Sequence, residues 1–202
     1  MIINAVQDDY RALAESYDKR WGKFSNLVHG WVMQRLDRPA SVLDLGCGTG
    51  KLLSLIHARF PMAMLQGIDA SREMLEQAYR QVPSAVLTQG DINDFSLIRT
   101  LPNAVICLNV LHHLDDPGAF IQQLSSYSKA QGCSDIFLCD FALDGLAMKA
   151  AALYWRRKQE SFSKGYSSEA LRSVLGHYFT IADEEILRPD RFWRLQIYHL
   201  KT

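Results

Sequence analysis

This sequence lacks any surplus of charge: 22 Lys and Arg residues are balanced by 22 Asp and Glu. A basic excess is the first electrostatic mark of a nucleic-acid binder, so a nucleic-acid partner is not expected, and only a local patch would argue otherwise. Cysteine is sparse too. Cys47, Cys107, Cys133 and Cys139 form neither a C-x-x-C pair nor a Cys/His spacing suited to zinc, so no metal centre or disulfide framework is indicated. Three of the four lie in or beside apolar strand patterns, where a reduced thiol packs as a small hydrophobe, and a reducing compartment follows. Nowhere do roughly 18 apolar residues run together, and Met1-Ile2-Ile3-Asn4 meets Asp8 and Asp9 too soon for a secretory apolar region. A cytoplasmic protein without a membrane partner is the expectation. Repeats and low-complexity linkers are also missing, which leaves one domain over residues 1–202. With 48% apolar residues, that length can bury one substantial core.

What is present centres on Val42-Leu43-Asp44-Leu45-Gly46-Cys47-Gly48-Thr49-Gly50-Lys51-Leu52-Leu53. A run fit for a buried strand passes into three alternate glycines and then an apolar helical run. Such glycines let a ligand approach the main chain without meeting a Cβ, while the free N–H groups of the following helix point toward it. A dinucleotide fingerprint has its third glycine where Lys51 stands, whereas here Gly50 precedes it, giving G-x-G-x-G. The next strand candidate, residues 64–68, ends at Asp69, about 20 residues beyond Gly50 and thus where a ribose-binding acid is expected. A carboxylate there can accept two hydrogen bonds from a vicinal diol. Ala70 and a helix-starting Ser71 follow, with Met74, Leu75, Ala78 and Tyr79 at helical spacing.

The glycine turn, with Asp44 two residues ahead of it, resembles the first motif of the class I S-adenosylmethionine-dependent methyltransferases. Three further segments are similar to that family. Asp69 and Ala70 stand at its ribose-binding strand end. A third strand, 85–89, leads to Asp91 and Ile92, where the resemblance implies an adenine site: the acid takes a hydrogen bond from the exocyclic amine and the next residue covers one face of the ring. A fourth strand, 104–108, runs into Asn109 and Val110, whose main chain the resemblance places at the methionine end of the cofactor. Asp116 before Pro117 then reads as a helix cap and first helical residue. The implied cofactor is S-adenosylmethionine, held by Asp44, Gly46, Cys47, Gly48, Gly50, Asp69, Ala70, Met74, Asp91, Ile92, Asn109 and Val110. The implied product is S-adenosylhomocysteine.

Strands alternating with helices imply an α/β parallel sheet, and a closing pair of strands, 179–187 and 193–201, joined through Pro189-Asp190, implies a hairpin. The resemblance supplies a Rossmann-like, doubly wound, seven-stranded order 3-2-1-4-5-7-6 with strand 7 antiparallel. Ahead of it, residues 1–38 read as an N-terminal helical cap over the cofactor and acceptor site. In that cap Val6, Tyr10, Leu13, Ala14 and Tyr17 form one helical stripe, and Phe24, Leu27, Val28, Trp31, Val32 and Leu36 a second.

For the acceptor side, His112 and His113 follow the fourth strand. Either ring can take a proton near neutral pH, and either can instead hydrogen-bond the loop. The connection from Phe141 to Tyr166 interleaves Lys149, Arg156, Arg157, Lys158 and Lys164 with Tyr154, Trp155, Phe162 and Tyr166, against only Asp144 and Glu160. With Arg191 and Trp193 of the hairpin, and with Tyr10 and Tyr17 as a lid, it is expected to line a pocket for a flat or anionic acceptor. A solvated basic helix face and a core tyrosine stripe are the competing readings. The expected partner is a small-molecule methyl acceptor, met by a monomer or homodimer. An RNA or protein methyltransferase, a binding module without catalysis and a dinucleotide oxidoreductase are the alternatives.

Overall fold

A computed structural model describes residues 2–11, 13–158 and 164–202; Glu160 and Phe162 of the expected acceptor connection lie outside them. Two helices come first, α1 (Ile2–Arg11) and α2 (Tyr17–Arg35). There follow β1 (Ser41–Leu45), α3 (Lys51–Arg59), β2 (Met64–Asp69), α4 (Arg72–Gln81), β3 (Val86–Gln89), β4 (Ala104–Leu108), α5 (Pro117–Gln131), β5 (Asp135–Phe141), α6 (Gly145–Lys158), α7 (Ser168–Tyr178), β6 (Thr180–Leu187) and β7 (Leu195–Lys201). One seven-stranded sheet runs β3-β2-β1-β4-β5-β7-β6, parallel except for β7, which pairs antiparallel with both β5 and β6. This is the doubly wound order that the sequence resemblance implied.

Side-chain alternation along the central strands builds two cores. Leu43 and Leu45 of β1, Val105 and Cys107 of β4, and Ile136 and Leu138 of β5 face α5 and α7, whose Phe120, Ile121, Leu124, Leu171 and Leu175 cover them. Their neighbours Val42, Ile106, Phe137 and Cys139 face the other way, under Val28, Trp31 and Val32 of α2 and Leu52, Leu53 and Ile56 of α3. Burial on both faces explains why these strands read as continuous apolar runs. All four cysteines are free and buried.

Local signals set the helix starts. Ser71 accepts from the Met74 amide at 3.2 Å, Asp116 from Ala119 at 3.0 Å with Pro117 next, and Ser167 from Ala170 at 3.3 Å. The stripe expected over residues 6–17 is broken: the amides of Leu13 and Ala14 both bond the Tyr10 carbonyl, at 3.1 and 3.0 Å, closing α1 before α2 begins. Leu27 and Tyr79, also expected to be apolar anchors, are 37% and 63% exposed. The basic connection after β5 is mainly the helix α6, with Met148 and Ala152 on its buried side. Among the described residues no helix is long and apolar enough to cross a membrane.

Candidate active site

At the carboxyl end of β1 the chain turns through Gly46, Gly48 and Gly50, at φ 79°, 53° and 76°. All three are left-handed, a conformation a Cβ disfavours. Their surroundings differ. A Cβ on Gly50 would sit 2.8 Å from the Ala78 Cβ, so glycine there lets α3 and α4 pack, whereas one on Gly48 would meet nothing within 4 Å. Gly48 therefore opens onto a cleft. Its amide donates to Asp69 Oδ2 at 2.8 Å, and the Ser71 amide donates to Asp69 Oδ1 at 2.9 Å, fixing that carboxylate at the end of β2. Burial raises the Asp69 carboxyl above its usual range, and the hydrogen bonds from Ser71 and Gly48 partly offset this.

The cleft is lined by nine of the expected cofactor residues: Gly46, Gly48, Asp69, Ala70, Met74, Asp91, Ile92, Asn109 and Val110. Asp44, Cys47 and Gly50 are not in its wall. Gly50 packs on Ala78, and the Cys47 sulfur lies beside Gly67 of β2. Asp44 and Cys47 instead border a side recess with His29, Thr49 and Lys51. Asp91 accepts from the backbone and side-chain nitrogens of Asn93 at 2.9 and 2.8 Å. Asp69, Asp91, Asp115 and Asp116 line the cleft with no Lys or Arg among the described residues, so its field favours a cationic ligand and opposes a pyrophosphate.

Asp44 is buried, and burial together with neighbouring Asp69 pushes its carboxyl up to about 7. An unfolded aspartate titrates near ~4. Between those values the folded protein holds a proton that the unfolded chain releases, so this group's stabilisation is complete below pH ~4 and fades as pH rises through 7. Asp44→Asn, uncharged at every pH, is expected to melt with a shallower fall in Tm between about pH 5 and about pH 8 than the parent. Parallel falls in the two proteins would show that Asp44 titrates normally.

Where β4 ends, Asn109 takes φ 57°, which asparagine tolerates better than other side chains that carry a Cβ, and its amide donates to the Cys139 carbonyl at 2.7 Å. The chain then makes a single 3-10 turn over Leu111–His113. Successive residues of such a turn point about 120° apart, and the two buried histidines face different places. His113 lines the cofactor cleft, where Nε2 lies 2.9 Å from the Tyr10 hydroxyl. His112 lines a second, narrower cavity. Its Nδ1 lies 2.7 Å from Asp140 Oδ1 and its amide donates to Asp140 Oδ2 at 2.9 Å, at the carboxyl end of β5. Asp140, itself buried, also accepts from the Phe141 amide at 2.6 Å. A carboxylate ringed by donors fixes the imidazole hydrogen on Nδ1 and the lone pair on Nε2.

Tyr10, Tyr17 and Asn109 line both the cleft and the second cavity. The tyrosines are brought there by the helices across the strand ends. Asp18 at the start of α2 accepts from Thr49 Oγ1 at 2.9 Å and from Gln81 Nε2 at 3.1 Å, tying α2 to the glycine turn and to α4. Burial, Asp69 and Asp18 push the Tyr17 phenol up to about 12, so it remains a hydrogen-bond donor. Of the other expected acceptor residues, Trp155 and Trp193 line the second cavity. Arg156, Arg157 and Arg191 do not: all three are exposed, Arg157 on the side of α6 away from Met148 and Ala152, Arg156 one turn beyond Ala152, and Arg191 over the exposed Phe192 ring. Burying a guanidinium in this aromatic wall without an acid would be costly, so the cations stay in water. Trp21 and Phe141 also line the cavity and, with Asp140, were not singled out in the sequence. For Asp140 a signal existed, an acid at the carboxyl end of a parallel strand.

Known proteins agree with this architecture. A family profile described as a methyltransferase domain matches residues 14–178. The malonyl-[acyl-carrier protein] O-methyltransferase of Halalkalibacterium halodurans is 38% identical over 48% of this chain and 38% of its own length. A trans-aconitate 2-methyltransferase of Pseudomonas aeruginosa is 32% identical over 57% of this chain and 46% of its own. The chain thus spans less than half the length of these two curated relatives. Among solved structures, magnesium protoporphyrin IX methyltransferase from Synechocystis with bound S-adenosylhomocysteine superposes with a TM-score of 0.76 at 19% identity, covering 100% of both chains. The chain belongs to the methyltransferase domain family and has the fold of the class I S-adenosylmethionine-dependent methyltransferases.

Proposed function

We propose that this protein transfers a methyl group from S-adenosylmethionine to an oxygen, nitrogen or carbon of a small molecule by in-line displacement, releasing S-adenosylhomocysteine. The observation that carries the reading is the shared wall of Tyr10, Tyr17 and Asn109, which joins an acid-lined cleft to an aromatic cavity. A donor in the cleft and an acceptor in the cavity would meet there. The donor's sulfonium and ammonium outweigh its single carboxylate, which suits a cleft bearing Asp69, Asp91, Asp115 and Asp116. Gly48 allows the ligand to approach the main chain, Asp69 receives the ribose hydroxyls, and Asp91 with Ile92 holds the adenine. Residues 1–38 act as the cap that excludes water. Aligning the two reactants is the chief task of such an enzyme, worth as much as ~7–11 kcal/mol of the barrier. His112, oriented by Asp140, takes the acceptor's proton when there is one to lose, whereas His113 belongs to the cofactor side.

Calorimetry checks the donor assignment. S-adenosylmethionine and S-adenosylhomocysteine are expected to bind and NAD not to, because four acids in the cleft wall repel a pyrophosphate. NAD binding as tight as either would overturn the reading.

A further inference from the structure

We infer that the acceptor is an uncharged, flat aromatic compound whose hydroxyl is methylated, that carboxylates are rejected, and that an ammonium compound is not methylated even where it binds. The inference rests on the methyl-transfer reading and names the acceptor class. The second cavity is a cage of rings with Trp193 at its hub. The Trp193 centroid lies 5.9 Å from Phe24 in an edge-on contact at 83°, 5.2 Å from Phe141 and 6.3 Å from Trp155. Trp193 is held by the hairpin itself, where Asp190 Oδ1 accepts from the amides of Phe192 and Trp193 at 2.8 and 2.9 Å. Among the described residues no Lys, Arg, Asp or Glu lines this cavity.

That composition sorts ligands by charge and shape. A flat ring gains offset and edge-on contacts with the cage, while a carboxylate entering it leaves water without meeting a counter-ion. The curated relatives named for aconitate and malonyl acceptors are therefore poor guides to this pocket. An ammonium ion would be attracted by the rings. Its nitrogen, however, holds no lone pair with which to attack a methyl group. A neutral hydroxyl meets His112, which among the described residues of the wall is the proton-accepting side chain backed by a buried carboxylate, Asp140. The imidazole Nε2 takes the hydroxyl proton, and the oxygen lone pair forms the new O–C bond as the methyl C–S bond breaks. The breaking pair returns to sulfur, giving an aryl methyl ether and S-adenosylhomocysteine. The imidazolium then passes its proton to water.

The protein carries its own reporter, since three of its four tryptophans, Trp21, Trp155 and Trp193, line the cavity. The fourth, Trp31, packs elsewhere and donates to Glu185 at 2.8 Å. Tryptophan quenching should be followed at neutral pH, with S-adenosylhomocysteine bound, for 2-naphthol, 2-naphthoate and 2-naphthylmethylammonium, which share one ring system and differ in charge. The naphthol is expected to bind more than about tenfold more tightly than the naphthoate, whereas the ammonium, drawn to the rings, is expected to bind without being methylated. With labelled S-adenosylmethionine, label should appear in 2-methoxynaphthalene and in no ester or amine. Trp193→Ala is expected to weaken naphthol binding about tenfold while leaving S-adenosylhomocysteine affinity unchanged, because Trp193 is not in the cofactor cleft. Binding of the naphthoate as tight as that of the naphthol, or label appearing in the amine, would overturn the inference, as would failure of all three to bind a protein that still binds S-adenosylhomocysteine. Failure of the parent protein to bind S-adenosylhomocysteine would bring down the methyl-transfer reading as well. The ligand series needs only the parent protein, so it decides the matter even if Trp193→Ala misfolds.

Discussion

Replacing Asp69 by alanine is expected to weaken binding of S-adenosylmethionine and S-adenosylhomocysteine by on the order of 1–3 kcal/mol, the scale of losing hydrogen bonds to a charged acceptor. Two effects act together. The ligand's ribose loses its acceptor, and the Gly48 and Ser71 amides lose the partner that holds the glycine turn against the end of β2. The sheet should survive, since Asp69 is the last residue of its strand and Ser71 still caps α4. Gly48→Val should do more harm. Its backbone sits at φ 53°, and its Cβ would project into the open cleft rather than against protein. Calorimetry on both variants, with circular dichroism to show intact folding, measures the effect. Parent-like affinity in both would mean that the cofactor does not lie in this cleft.

Turnover should fall on the order of 10²–10⁴-fold in His112→Ala, the usual range for loss of a general base. Asp140→Asn should also lower turnover, because an amide can present its NH₂ to Nδ1 and so stabilise the wrong tautomer. Neither side chain lines the cofactor cleft, so donor affinity should not change. The diagnostic readout is the pH profile. Both defects should shrink at high pH, where the acceptor ionises unaided, whereas a purely packing role for Asp140 would give a loss that is the same at every pH. A pH-independent defect in His112→Ala would make that ring a positioning group and remove the base from the mechanism.

Whatever depends on local chemistry was legible along the chain. Apolar runs located the central strands because β1, β4 and β5 are buried on both faces, so they are apolar along most of their length, with the acids Asp44 and Asp140 near the carboxyl ends of β1 and β5. Ser71, Asp116 with Pro117, and Ser167 marked helix starts because an N-terminal amide needs an acceptor nearby in the chain. The glycine turn and Asp69 were legible for the same reason: both are short-range answers to a strand end that must receive a ligand. Long-range placement was not legible. Nothing local indicates that Tyr10 closes α1 or that Tyr79 faces water. Composition showed rings and cations interleaved over residues 141–166 and left their orientation open. Tertiary packing turned Trp155 and Trp193 inward and left Arg156, Arg157 and Arg191 outside, because an aromatic ring gains by leaving water and an unpaired guanidinium loses. The pairing of His112 with Asp140, 28 residues apart, likewise exists only because β4 and β5 lie side by side and end together.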